Sequence, residues 1–150
     1  MIKIISSLTV ISLLVSSCGS TVADKSNEHI EIVDTEEHDH SNEEIVLNNG
    51  QKWKVDDSMI VHIRNMEKDV NSFEAKSFDD YVVLAEKIAV NLDLLTSNCT
   101  MTGQAHDELH KWLLPFIDLS DEFSASKTEE AAAIYQEIKT SFITFNTYFE

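Results

Sequence analysis

Residues 51–150 are predicted to be all-α, folded as an up-down-up-down four-helix bundle. Three observations carry that expectation. Apolar residues recur three and four positions apart in four separate runs, which places them on one face of a helix. A hydroxyl residue stands three positions ahead of an acid before two of those runs, the pattern of a capping box. The chain also holds only three glycines and one proline, too few breakers for a turn-rich β fold.

The first helix is predicted from Trp53 onward, its stripe running through Val55, Met59, Ile63, Met66, Val70 and Phe73. Ser77 and Asp80 cap the second, whose stripe of Tyr81, Leu84, Ile88, Leu92 and Leu95 continues to an end near Cys99. A turn over 100–103 follows, with Thr102 as N-cap and Met101 as a hydrophobic staple on His106. The third helix reads His106, Leu109, His110, Leu113, Phe116 or Ile117, and Phe123, with a kink expected at Pro115. Asp107 and Glu108 fall in its first turns, where acids favour the helix dipole. Ser126 and Glu129 cap the fourth, which continues through Ala131, Ile134, Ile138, Phe142, Phe145 and Phe149. Trp112, Tyr135 and the phenylalanines read as core or rim. No stretch alternates at period two for long enough to compete as a strand, and short loops make consecutive helices antiparallel neighbours.

The first fifty residues have a different character. Lys3 precedes an apolar run from Ile4 to Val15, the charged-then-apolar order of a secretory signal and shorter than the roughly 20 residues that span a membrane. The run ends in Leu14-Val15-Ser16-Ser17-Cys18-Gly19, which resembles a bacterial lipobox. That resemblance implies removal of residues 1–17, lipidation of Cys18 on its thiol and new amino group, and anchoring to a bacterial membrane. The domain would then sit in the cell envelope, facing the periplasm or the exterior. Residues 18–50 are acid-rich and poor in apolar side chains, with Lys25 as their one base, and are expected to form a flexible tether. His29, His38 and His40 lie among these acids. Such a tract is a solvated linker or a weak collector of divalent ions, and in the second case it would feed the bundle at high effective concentration.

The chain carries 27 acidic against 11 basic residues, a net charge of −16, and loss of residues 1–17 removes only the base Lys3. This balance argues against nucleic acid as a partner, because a polyanion is repelled and no basic stripe offsets the repulsion.

With Cys18 assigned to the anchor, Cys99 has no partner within the chain. An odd thiol outside the cytoplasm is buried and inert, bridged to a second copy as a dimer, or bound to a metal. Cys99 shares twelve residues with Met101, His106 and His110, a concentration of soft donors found nowhere else in the sequence. The helical spacing from Leu95 points Cys99 inward, and His106 and His110 lie four apart on the face of Leu109 and Leu113. One or two sulfurs with one or two imidazoles suit copper or zinc ahead of harder ions, and zinc would require four ligands. His62 is a further candidate, since an up-down bundle brings it to within a turn of the level of His110. Against these readings stand the plainer ones, a buried hydrophobic cysteine, core histidines and Met101 as a staple alone.

The segment C-x-M-x-G-x-x-H-D-x-L-H-x-W-L-x-P from Cys99 to Pro115 resembles one in small uncharacterised lipoproteins of Bacteroidota-type bacteria. It implies export and a helical domain and names no activity. Four-helix bundles that hold haem b through methionine and histidine are similar in size. A haem here would use Met59 or Met66 with His106 or His110, although the last predicted helix lacks the histidine those bundles place there. The sequence reads as non-enzymatic. His106 and His110 have zinc-protease spacing, but Asp107 stands where that motif requires glutamate, and no nucleophile elbow, phosphate loop or haem-attachment motif occurs. The expected role is metal binding for buffering, sensing or delivery, with a metal-free structural or interaction module as the alternative.

Overall fold

Asp80 explains why a helix begins where it does. Its carboxylate accepts the backbone N–H groups of Lys76 at 2.8 Å and Ser77 at 2.7 Å, and the Ser77 hydroxyl at 3.0 Å. These bonds, that from Lys76 first, hold the Asp80 carboxyl below the usual carboxylate range, because they favour its charged form. In the computed structural model, which describes residues 43–150, this helix is the second of four: α1 (Asp57–Asn71), α2 (Phe78–Ser97), α3 (Gln104–Ala125) and α4 (Thr128–Tyr148). The expected all-α four-helix architecture is therefore observed. The signal segment, Cys18, His29, His38 and His40 lie outside the described residues.

Three local expectations need correction. The cap before α4 is one residue later than expected: Lys127 is the N-cap and its N–H donates to Glu130 Oε2 at 3.3 Å. The Ser126 hydroxyl instead donates to the Phe123 carbonyl at 2.7 Å and closes α3. The N-cap of α3 is Gly103, at φ 71°, rather than Thr102. Glycine reaches this left-handed backbone without strain, and the shift takes Met101 out of staple register although it remains buried. The third helix continues through Pro115. The missing N–H costs the carbonyl of Lys111 its helical donor, but Trp112, Leu113 and Phe116 on either side are buried, and their packing keeps the helix whole.

The helices form a cycle in which α1 packs on α2, α2 on α3, α3 on α4 and α4 on α1. One diagonal, α1 with α3, makes no close backbone approach, whereas α2 and α4 meet across the other. Each helix contributes its predicted stripe, including Met59, Ile63 and Met66 from α1, Leu84, Ile88 and Leu95 from α2, and Ile138, Phe142 and Phe145 from α4. Full burial of each such side chain contributes about 1.5–3 kcal/mol. On α3, Trp112 stacks on Phe116 with centroids 4.9 Å apart and meets Phe145 at 4.8 Å, while its indole N–H donates to the Ser141 carbonyl at 3.0 Å. The indole therefore buries its area without losing its hydrogen bond. A second aromatic cluster, Phe73, Tyr81 and Tyr135, lies where Tyr135 donates to the Val70 carbonyl at 2.9 Å. Burial pushes the Tyr135 hydroxyl up, with Tyr81 adding to the shift.

The first helix does not begin at Trp53. Residues 51–56 are non-helical, and Trp53 and Val55 are buried by pairing with the end of the chain. Trp53 N–H donates to the Tyr148 carbonyl, Glu150 N–H to the Trp53 carbonyl and Val55 N–H to the Glu150 carbonyl, at 2.8–2.9 Å. Ahead of them the chain reverses at Asn49 and Gly50, with φ of 50° and 85°, and Asn48 and Gln51 exchange both backbone hydrogen bonds. Two successive left-handed residues in Asn-Gly are the chemistry of a tight hairpin turn. Residues 43–50, assigned to the tether from sequence, thus continue into a strap laid against the bundle.

Candidate functional site

Two polar constellations sit on the first turns of α3, on different faces. The first is the corner between α2 and α3. Because α2 stops at Ser97 and Asn98 is its C-cap, Cys99 leaves the helical stripe and is exposed, contrary to the expectation that it points into the core. Its Sγ nevertheless lies 3.4 Å from His106 Nε2. The His106 and His110 rings are 4.1 Å apart between centroids and tilted by 57°, as residues four apart on one helical face should be. Both imidazoles are half-buried. The loop carrying Cys99 is fixed to the start of α1, since Thr100 Oγ1 donates to Asp56 Oδ2 at 2.8 Å and Ser58 Oγ to the Asn98 carbonyl at 3.5 Å.

The remaining expected ligands stand apart from this group. Met101 is buried in the hydrophobic core. His62 follows Ser58 by one helical turn, about 6 Å along the axis, and its Nδ1 is buried with no hydrogen-bond partner. Among the described residues, no group of three or more histidine, cysteine, aspartate or glutamate side chains is gathered as a metal site. The corner therefore offers a thiol–imidazole pair in contact, with a second imidazole tilted against the first. That donor set fits a soft ion satisfied by few ligands, copper(I), better than zinc, which needs four in closed geometry.

The second constellation was missed from sequence. Glu108, read as a first-turn acid, is buried. Its Oε2 accepts the Val46 N–H at 2.9 Å and its Oε1 accepts Lys111 Nζ at 3.0 Å. Lys111 also lies 3.3 Å from the Glu43 carboxylate and donates to the Glu44 carbonyl at 3.3 Å, and the Trp53 indole N–H donates to the Val46 carbonyl at 2.6 Å. The hydrogen bond to Glu108 raises the Lys111 ammonium above its ordinary range, and burial opposes that rise. This network holds the strap on α3. The Glu108–Lys111 spacing of three and the Asn49-Gly50 pair were its only signals in the sequence.

Comparison of the chain with protein-family models, curated proteins and solved structures finds no match in any of the three.

Proposed function

We propose that this chain is an exported, lipid-anchored helical-bundle protein whose α2–α3 corner binds a soft metal ion, copper(I) before zinc, for buffering, sensing or delivery. The observation that supports this reading most directly is the 3.4 Å approach of Cys99 Sγ to His106 Nε2 with the His110 ring tilted alongside. Exposure of the thiol favours it too, because an incoming ion can reach Cys99 without opening the core. Cys99 and His106 are the first ligands and His110 the third, reached by rotation of its ring. Met101 and His62 would join only if the corner closes further on the ion. The role is binding rather than turnover. The haem reading is weaker: Met59 and Met66 are fully buried, so a haem between them and α3 would displace core side chains.

The test is competition between the full chain and a copper(I) chelator, then a zinc chelator. One ion per chain is expected, with at least a tenfold loss of affinity in Cys99→Ser and in His106→Ala. Replacing His29, His38 and His40 should leave that tight site unchanged. Equal retention by Cys99→Ser would remove the corner from consideration and leave a structural or interaction module. The anchor is tested separately by incorporation of a labelled fatty acid, which Cys18→Ala should abolish.

A further inference from the structure

The chain between the two nearest donors does not by itself set their separation. Cys99 and His106 are 7 residues apart, and the link between them passes through Gly103, at φ 71° with no side-chain hydrogen bond capping α3. Burial of Met101 pins the middle of that link and leaves its two ends to be fixed from elsewhere. One continuous segment, residues 43–56, reaches both. Its first part holds α3: the Val46 N–H donates to Glu108 at 2.9 Å, and Lys111 donates to the Glu44 carbonyl at 3.3 Å. Glu108 lies midway in sequence between His106 and His110, and Lys111 directly follows His110. Its last part holds the loop, where Asp56 accepts the Thr100 hydroxyl at 2.8 Å, one residue beyond Cys99. Between these parts the segment is stiffened by the turn at Asn48–Gln51, the Trp53 bond to the Val46 carbonyl and the pairing with residues 148–150. The contacts close a ring from Val46 through Glu108, His106, Cys99, Thr100 and Asp56, then back along the chain to Val46.

We infer that residues 43–56 form a brace that positions the Cys99–His106 pair, so that docking of the strap on α3 and retention of an ion at the α2–α3 corner are coupled. The inference rests on the metal-binding reading of that corner. Glu108 and Asp56 are positioning residues in this scheme, since neither belongs to the donor set and each acts through the element that carries a donor. A thiol and an imidazole already held at 3.4 Å spare the ion the cost of ordering a loop. Groups that hold metal-ligating side chains in place carry about 10–100-fold in affinity. The coupling is reciprocal: a bound ion tightens the strap, and whatever lifts the strap from α3 loosens the ion.

Copper(I) affinity of the full chain, measured by chelator competition, tests the brace from both of its ends. Val46→Pro removes the N–H that Glu108 accepts and leaves every helix residue in place. It should weaken copper(I) binding about tenfold with the helical circular dichroism unchanged. Thr100→Val removes the hydroxyl bonded to Asp56 and should weaken it about threefold, as befits one exposed hydrogen bond. Tyr135→Phe removes the bond to the Val70 carbonyl at the far end of the bundle, and should leave the affinity unaltered. The reverse direction is read in the unaltered chain by amide hydrogen exchange: saturating copper(I) should slow exchange of the Val46 N–H about tenfold, and should not do so in Cys99→Ser. Failure of the unaltered chain to bind copper(I) would remove the metal reading and this inference with it. Copper(I) held as tightly by Val46→Pro and Thr100→Val as by the unaltered chain, an equal loss in Tyr135→Phe, or Val46 exchange indifferent to the ion would overturn the brace alone and leave the metal reading standing.

Discussion

The two polar clusters at the head of α3 are separated by only a few residues, yet they are built oppositely. Glu108 is buried and Lys111 half-buried, and the two bond to each other and to the strap at 2.9–3.3 Å. At Cys99, His106 and His110 the groups are exposed or half-buried and approach one another. Burial of a charge is tolerated only where its hydrogen bonds are supplied internally, so the first cluster has the features of a structural joint. Soft donors left within reach of solvent, with no role in the core, have the features of a binding site. Two turns of one helix thus carry a buried joint on one face and solvent-accessible donors on another.

That contrast can be broken most strongly at Trp53. Trp53→Ala removes a buried indole and its bond to the Val46 carbonyl, and should cost about 4 kcal/mol in denaturant unfolding, within the range for buried aromatic truncations. Glu108→Ala should follow at about 3 kcal/mol, because it takes from the half-buried Lys111 ammonium its main partner and from the Val46 N–H its acceptor. It should also change the alkaline limb of stability. The raised Lys111 contributes stability that is complete below its unfolded pKa and is lost as pH climbs through the higher folded value. Glu108→Ala should flatten that loss in alkaline unfolding curves. Cys99→Ser sharpens the comparison from the other side: at an exposed position it should change stability by no more than about 0.5 kcal/mol while abolishing tight copper binding. The smallest effect is expected at Asp80, whose lowered carboxyl contributes stability present above its unfolded pKa and lost as pH falls through the folded one. Asp80→Asn should shallow the acid limb of the unfolding profile.

The four stripes were legible because periodicity survives wherever a helix has one buried face, and the residues predicted for the core of α2 and α4 are those that pack. Cys99 shows where this reasoning fails. Its inward direction was extrapolated from Leu95, but the extrapolation holds only while the helix continues, and α2 stops at Ser97. Proximity of Cys99 to His106 survived that error because it depends on the tight corner. Trp53 and Val55 were read as helical because their spacing to Met59 fits a stripe, although Lys52-Trp53-Lys54-Val55 equally alternates at period two. Only the pairing with Tyr148–Glu150, remote in sequence, decides between them. Glu108 was illegible for a related reason: its partners on the strap could not be known before the strap itself was placed.

The pairing of Trp53 and Val55 with the last three residues also governs where this domain can come loose. Three backbone hydrogen bonds clasp the approach to α1 to the finish of α4, so neither can peel away without the other.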